Sequence, residues 1–201
     1  MRGTVENGRE RVLVHAEKLF RSKGLASVSL ADIAAGAEMK KASLYYHFPD
    51  GKQELFVAVH ERALTTVGKR VDALFMRDGQ PFGDRLRAVA KYLAGGRSRI
   101  HLFSMMHNDM PDLDPRWADR MKRLTYEAVM LPFIRAITQA QQNGEVRRVE
   151  PHSFTGCFLA TVESINIANA SGVTGVPLQE MIDNALDILL FGLLKPNEAR
   201  V

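Results

Sequence analysis

The stretch Lys40–Phe48 holds the residues whose types and spacing point most clearly to a chemistry. Read as a helix, it places Leu44 and Phe48 on one face, because they are four residues apart. The other positions are rich in hydrogen-bond donors and cations: Lys40, Lys41, Ser43, Tyr45, Tyr46 and His47. A short helix with two apolar anchors and a donor-rich outer surface suits insertion into the major groove of DNA.

A second short helix is predicted just upstream, over residues 29–37, with Ser29 as its N-cap. Only a few residues separate the two helices, which is the spacing of a helix-turn-helix motif. The turn Pro49-Asp50-Gly51 stops the second of them. The donors that fall at helix starts or on the outer face, where such a motif contacts phosphates, are Ser29, Lys40, Lys41, Tyr45 and Lys52.

The region from Arg11 to Phe56 resembles the DNA-binding domain of the TetR family of transcriptional repressors. The matching positions occur in order and at fixed spacing: Val12, Leu13, Ala16, Leu19, Phe20, Gly24, Ser29, Leu30, Ile33, Ala34, the run Leu44 to Phe48, Lys52, Leu55 and Phe56. Two positions depart from the family pattern, since Glu38 stands where glycine is usual and Lys40 where Ser or Thr is frequent. A positive φ at Glu38 would be mildly strained.

The resemblance implies roles for individual residues. Tyr45 and Lys52 would bind phosphates, residues 40–43 together with Tyr46 would face bases, and His47 could do either. The complete predicted DNA-binding set is Ser29, Lys40, Lys41, Ala42, Ser43, Tyr45, Tyr46, His47 and Lys52. The expected partner is a palindromic double-stranded operator.

Composition agrees with this reading without requiring it. The chain has 201 residues, 46% of them apolar and 25% charged, and a net charge of +4. Residues 1–52 contain nine Lys and Arg against six Asp and Glu, so most of the excess positive charge lies with the proposed DNA-binding module. The single cysteine excludes an internal disulfide, and neither a signal peptide nor a membrane span is recognisable, so we expect a cytoplasmic protein.

The rest of the chain also has helical periodicity, and no strand-like alternation occurs. Apolar residues from Leu55 to Leu74 predict one long amphipathic helix, and Pro and Gly residues mark the limits of those that follow. Residues 1–8 are predicted to be an irregular arm. We expect an all-α protein of about nine helices, with a three-helix DNA-binding domain over residues 1–52 and a helical regulatory domain over residues 53–201.

An effector cavity is predicted in the second domain. Methionines cluster in the middle third of the chain, Trp117 and Tyr126 each combine an apolar body with a polar group, and Pro132 should bend the helix that carries them. The candidate lining residues are Phe103, Met106, His107, Trp117, Met121, Tyr126, Phe158 and Val162. Because only His107 and Glu163 offer nearby charge, we expect a largely apolar, partly aromatic or lipid-like ligand. The competing interpretation is that these are ordinary core residues.

A homodimer is predicted through the last two helices, about residues 151–170 and 177–194. Apolar residues cover more of the final helix than one intramolecular face needs: Leu178, Met181, Ile182, Leu186, Ile188, Leu189, Leu190 and Leu193. Glu163, Asn166 and Asn169 form a polar stripe on the preceding helix, either exposed to solvent or part of an interface or ligand site. Cys157, in the same helix, is predicted to be a buried, inert thiol.

Enzymatic motifs are not recognisable, and no cofactor is predicted. The one metal-site candidate, His101, His107, Asp109, Asp112 and Asp114, lacks the spacing of a known ligand pattern. The favoured function is therefore a TetR-like repressor that a small apolar effector releases from DNA. Two alternatives stay open, a regulator of the same fold with a protein partner or without an effector, and a metal-dependent hydrolase using His107 and the Asp109–Asp114 loop.

Overall fold

A computed structural model describes residues 2–77, 79–95 and 108–191, with side chains from residue 8 onward. Within these ranges all regular structure is helical, which confirms the predicted all-α class. In chain order the helices are α1 (Arg2–Ser27), α2 (Leu30–Gly36), α3 (Lys41–His47), α4 (Lys52–Phe75), α5 (Phe82–Ala94), α6 (Pro115–Thr125), α7 (Leu131–Gln142), α8 (Pro151–Ser171) and α9 (Leu178–Phe191). A 3₁₀ turn occupies Met110–Asp112, and a π-helical turn, Tyr126–Met130, links α6 to α7.

The chain forms two compact units, each built from two separate parts of the sequence. The first contains Met1–Thr66 and Leu102–Glu127, and the second contains Val67–His101 and Ala128–Val201. Helix α6 is therefore grouped with the N-terminal helices. The division into a DNA-binding domain before residue 53 and a regulatory domain after residue 52 stays a prediction.

Helix α1 begins at Arg2, so the prediction of an irregular arm over residues 1–8 is wrong. Gly24, predicted to end the helix, interrupts it with φ 72° and ψ 172°, a conformation that favours glycine. The chain then resumes a helical turn up to Ser27. This break frees the backbone N–H of Leu25 for a long-range contact.

The core of the first unit is apolar and dense. Phe20 of α1 and Phe56 of α4 meet edge to face, with ring centroids 5.2 Å apart. Leu44 and Phe48, the two predicted apolar anchors of α3, are both 0% exposed. Burying side chains of this size contributes about 1.5–3 kcal/mol each. Helix α4 confirms the long amphipathic helix predicted from the spacing between Leu55 and Leu74.

The second unit contains the irregular turn before Pro132. Pro132 has no backbone N–H, so it cannot donate the usual helical hydrogen bond to the carbonyl of Ala128. The chain widens into the π-helical turn over Tyr126–Met130. Gly68 of α4 lies so close to the carbonyl oxygen of Ala128 that a Cβ would overlap it. Glycine at position 68 therefore permits close approach of two backbones.

Three phenylalanines connect the helices of the second unit. Phe133 of α7 contacts Phe75 of α4 and Phe158 of α8, with ring centroids 5.0 Å and 5.1 Å apart. The α8 side chain of Asn166 donates to the carbonyl of Leu93 at 3.4 Å. This bond helps to satisfy the end of α5 and gives one member of the predicted polar stripe a structural role.

Candidate functional site

The helix α2 begins with the predicted N-cap. Ser29 Oγ accepts a hydrogen bond from the backbone N–H of Asp32 at 3.1 Å and donates to the Asp32 carboxylate at 2.7 Å. The backbone N–H of Ser29 also donates to that carboxylate, at 3.3 Å. These bonds from Ser29 hold the pKa of Asp32 below its ordinary value. The reciprocal arrangement is a capping box, which fixes where α2 starts.

The turn between α2 and α3 contains Glu38, one of the two positions at which the sequence departs from the pattern of the family that it resembles. Glu38 adopts φ 54°. Within the described part of the chain, no other non-glycine residue has a positive φ. The backbone N–H of Glu38 donates to Ala35 O at 3.1 Å, and that of Met39 donates to Ala34 O at 3.0 Å. The turn therefore keeps the left-handed geometry that glycine would adopt without strain.

Helix α3 has one buried side and one free side. Leu44 and Phe48 are fully buried, and the guanidinium of Arg9 lies over the Phe48 ring at 5.1 Å. Tyr46 is 76% exposed and Tyr45 is 43% exposed. The positions Lys40, Lys41, Ala42 and Ser43 are also exposed. Neither lysine forms an ion pair within the described ranges, so both ammonium groups are available to an external anion.

His47 is half-buried at the end of α3. A Cβ at Gly8 of α1 would lie 3.2 Å from His47 Nε2, and the Tyr46 ring centroid is 5.3 Å from that of His47. The imidazole therefore packs beside the start of α1. The sequence left its contact with bases or phosphates open, and both stay predictions.

Lys52, a predicted phosphate ligand, also has an internal role. Its ammonium donates to the carbonyls of Leu25 and Ala26 at 2.9 Å and 3.4 Å. These carbonyls lie at the end of α1, where backbone acceptors lack helical partners. The phosphate contact of Lys52 stays a prediction, and a substitution there would change the fold locally as well as DNA affinity.

The segment 109–120 is connected to the N-terminal helices by polar contacts that the sequence analysis missed. Asp109 accepts from the backbone N–H of Leu25 at 2.8 Å. The side-chain oxygen of Gln53 accepts from the backbone N–H of Asp114, also at 2.8 Å. Two ion pairs extend the connection, Arg116 with Asp50 and Arg120 with Glu61, each at 2.9 Å. The only sequence signal is the spacing of Arg116 and Arg120, which places them on one face of α6.

The predicted effector residues have unequal outcomes. Phe103, Met106 and His107 lie outside the described residues. Trp117 and Met121 of the first unit are 9% and 0% exposed, whereas Tyr126 is 42% exposed. Phe158 and Val162 belong to the second unit and are buried there. A cavity formed by this set stays a prediction.

An unpredicted groove of about 750 Å³ lies within the second unit. Its lining includes the apolar Phe82, Ile137, Phe154 and Leu190 and the cationic Arg87 and Arg147. A polar pocket of about 450 Å³ shares Pro81 and Glu145 with it. Hydrogen bonds from Asn143 and Arg85 hold the pKa of Glu145 below its ordinary value. None of the predicted effector residues within the described ranges lines this groove.

The metal-site candidate receives no support in the described ranges, where no three His, Cys, Asp or Glu side chains are grouped to hold an ion. Asp109 is instead occupied with Leu25, and His101 and His107 lie outside the described residues. The prediction of a buried Cys157 is wrong, because the thiol is exposed. Helix α8 packs only one face within its unit, so an apolar sequence neighbourhood does not ensure burial.

None of the described helices is both long enough and apolar enough to cross a bilayer.

Two short helices joined by a tight turn, the second with buried anchors and a free donor-rich face, define a helix-turn-helix protein. Residues 12–59 match the family model described as bacterial regulatory proteins, tetR family. By this match residues 12–59 are similar to the DNA-binding region of the tetR family of bacterial regulatory proteins.

One curated relative shows the same likeness. The chain is 31% identical over 87 residues to the uncharacterized HTH-type transcriptional regulator YxaF of Bacillus subtilis (strain 168), covering 43% of this chain and 44% of that protein. The match thus spans less than half the length of the curated relative.

Solved structures extend the likeness to the whole fold. The regulator FadR from Bacillus subtilis in complex with stearoyl-CoA superposes with a TM-score of 0.74, 13% identity, and 92% of this chain against 99% of that one. AibR in complex with isovaleryl coenzyme A and operator DNA gives a TM-score of 0.71 and 22% identity, with 91% of this chain and 98% of the other covered. At these identities the likeness establishes a common fold.

Proposed function

We propose that the protein is a transcriptional repressor that binds operator DNA through α3 and leaves it when an effector binds. The observation that carries the proposal is the free face of α3, where Lys40 and Lys41 are exposed and unpaired within the described part of the chain. Unpaired cations on a rigidly anchored helix bind phosphates without first breaking an internal ion pair. Operator DNA as the partner implies a cytoplasmic site of action.

The connection between α6 and the N-terminal helices supports control by an effector. Trp117 and Met121 lie on the buried side of α6, while Arg116 and Arg120 on its exposed side pair with Asp50 and Glu61. A ligand that moves α6 would therefore also move the helices that orient α3. A hundredfold preference of the ligand for the non-binding conformation corresponds to about 2.7 kcal/mol, which is enough to empty a modestly occupied operator.

We propose a largely apolar, lipid-like effector. The buried side chains of α6 are mostly apolar, and its charged residues are exposed. Two proteins of similar fold are described as complexes with acyl thioesters, stearoyl-CoA and isovaleryl coenzyme A. Those descriptions favour the lipid-like class over the aromatic one. A regulator of the same fold that answers to a protein partner, or to no effector, is the alternative.

We also propose a homodimer through α8 and α9. Ile182 and Leu186 are buried against the rest of the second unit, whereas Ile188 is 53% exposed and Phe191 is 76% exposed. An apolar surface on the far side of α9 is the kind that a two-fold partner covers. Leu193, the last predicted interface residue, lies outside the described residues. A dimer would present two copies of α3 to half-sites about 34–36 Å apart.

Selection of bound fragments from a genomic DNA pool tests the proposal, repeated with methyl nonyl ketone, an uncharged medium-chain probe. The expected result is enrichment of one palindromic sequence and its loss on adding the ligand. Light scattering on the same sample should give a dimer at micromolar concentration. A monomer, or a pool without enrichment, contradicts the proposal.

A further inference from the structure

Helix α6 buries three residues at successive spacings of four, and the last of them is polar. Trp117 is 9% exposed, Met121 is 0% exposed and Thr125 is 7% exposed. This spacing places all three on one side of the helix. The hydroxyl of Thr125 is buried and has no hydrogen-bond partner in the described structure.

Three other helical threonines in the described part of the chain behave differently. Thr66 donates to Arg62 O at 2.9 Å, Thr155 to Pro151 O at 2.7 Å and Thr161 to Cys157 O at 2.8 Å. Each bonds the carbonyl four residues back, which is the usual way for a helix to satisfy a threonine. Thr155 is fully buried and still makes this bond. Burial alone therefore does not explain why the Thr125 hydroxyl has no partner.

A buried hydroxyl without a partner is costly, because it loses its hydrogen bonds to water and gains none in return. Valine has nearly the same shape and would avoid this cost. The hydroxyl also lies on the side of α6 that carries two predicted effector residues, Trp117 and Met121. These two facts point to a partner that arrives with a ligand.

We propose that Thr125 Oγ1 is the hydrogen-bond anchor of the effector and donates to a neutral carbonyl oxygen on an otherwise apolar molecule. The inference rests on the proposed effector control and adds a residue and a chemical group to it. A neutral acceptor fits because the charged residues of α6 are all exposed: Arg116, Asp119, Arg120, Lys122 and Arg123. No cation of this helix is therefore available beside Thr125 to balance a buried carboxylate.

The test compares Thr125→Val, which removes only the hydroxyl, with Thr125→Ser, which keeps it. The probes are methyl nonyl ketone, which carries a neutral carbonyl, and decanoate, which carries a charge. Trp117 is the one tryptophan of the sequence, so its intrinsic fluorescence reports directly on binding near Trp117, Met121 and Thr125. Thr125→Val should bind the ketone about three- to tenfold more weakly than the parent protein, because one neutral hydrogen bond is lost. Thr125→Ser should stay within about twofold of the parent protein, on the same scale.

Thermal unfolding without ligand supplies the matched control. Thr125→Val should raise Tm by about 2–4 °C, because it removes an unsatisfied buried group. Thr155→Val removes a hydroxyl that is bonded at 2.7 Å and should not raise Tm. If Thr125→Val fails to raise Tm, or lowers it as the loss of a bonded hydroxyl would, the Thr125 hydroxyl is satisfied in the free protein and the inference fails.

The remaining outcomes separate this inference from the proposed function. Equal ketone affinity in the parent protein and Thr125→Val overturns the anchor, whether or not DNA is bound. If the protein prefers decanoate to the ketone, or does not bind the ketone, the acceptor of the Thr125 hydroxyl is not a neutral carbonyl and the inference is overturned. A Thr125-dependent ketone site in a protein that selects no operator would leave the site standing and overturn the repressor.

Discussion

Helices α3 and α6 are both short and cationic, but they use their charges in opposite ways. On α3 the lysines at positions 40 and 41 make no ion pair in the described part of the molecule, and the helix is held by Leu44 and Phe48. On α6 Arg116 is paired with Asp50 in the turn before α4, and Arg120 is paired with Glu61 of α4. The free lysines are available to an external anion, whereas the two arginines are already occupied by carboxylates.

The comparison shows that net charge alone does not identify a DNA-binding surface. Both helices carry positive charge, and the difference lies in whether acidic partners stand opposite. Aromatic exposure separates them in the same direction, since Tyr46 is 76% exposed on α3 and Trp117 is 9% exposed on α6. The comparison makes five measurable predictions.

Removing an anchor of α3 should have the largest effect. Phe48→Ala deletes a fully buried ring and should lower the free energy of unfolding by about 3–5 kcal/mol. Urea denaturation followed by circular dichroism measures this change. The matched variant Tyr46→Ala, on the exposed side, should stay within about 0.5 kcal/mol of the parent and lose operator affinity instead. Equal destabilisation by both would erase the distinction between the two sides.

Removing a free cation should weaken DNA binding more than removing a paired one. Lys41→Ala should lose one charge-assisted phosphate bond, weakening operator binding about 10- to 100-fold and reducing the salt slope by about 0.9. The control is Lys122→Ala on α6, whose ammonium pairs with Asp119 at 3.0 Å. Fluorescence anisotropy over a series of salt concentrations compares them. The distinction fails if the two slopes change alike.

The turn that orients α3 should become more stable with glycine. Glu38 has φ 54°, so Glu38→Gly should raise the free energy of unfolding by about 1 kcal/mol by relieving the left-handed strain. Glu38→Ala keeps a Cβ and should show no such gain. Chemical denaturation of the pair measures the difference, and a gain in the alanine variant would assign the effect to charge.

Acid should destabilise the first unit through His60. Burial is the main cause that lowers the pKa of His60 below its ordinary 6.5, and the ring nitrogen Nδ1 lies 2.9 Å from Phe56 O. As pH falls below 6.5 the unfolded chain takes up the proton first, so stability should decrease with falling pH. The hydrogen bond to Phe56 O opposes this lowering of the pKa of His60, as do the charges of Asp109 and Glu17.

The measurement is the denaturation midpoint of the parent and of His60→Gln between neutral pH and the onset of carboxylate titration. The variant lacks the titrating group, so its profile should be flatter. If the denaturation midpoints of the two proteins change with pH in parallel, His60 is not the cause of the acid destabilisation.

The smallest effect is expected at the exposed pair Arg120–Glu61. Such pairs contribute about 0.2–1 kcal/mol, so Arg120→Glu should lower stability only slightly. The single variant should also weaken the release of DNA by the effector. The double exchange Arg120→Glu with Glu61→Arg should restore both the stability and this release. Restoration of stability without the response would show that the pair holds α6 without transmitting its movement.

The sequence predicted the elements whose signals are local. The α2 cap was read from Ser29, the long α4 from its apolar spacing, and the two sides of α3 from Leu44 and Phe48. The positive φ of Glu38 could be anticipated because the family resemblance placed glycine there. Each of these depends on neighbours within one or two helical turns.

The errors and omissions arose where a residue's partner is distant. Asp109 was considered as a metal ligand, yet it bonds Leu25, 84 positions away. Cys157 was predicted to be buried from its apolar neighbours, but only one face of α8 is covered within its unit. Thr125 drew no attention, because a threonine in a helix normally satisfies itself.

The sequence by itself determined the helical class, the helix-turn-helix motif and the donor-rich face of α3, because periodicity, caps and turns act over short range. Only the tertiary structure decided which cations are paired and which are free, and which buried hydroxyl has no partner. The physical reason is that hydrogen bonds and ion pairs form between whichever groups folding brings within about 3 Å. Proximity of that kind between remote positions is a property of the folded chain.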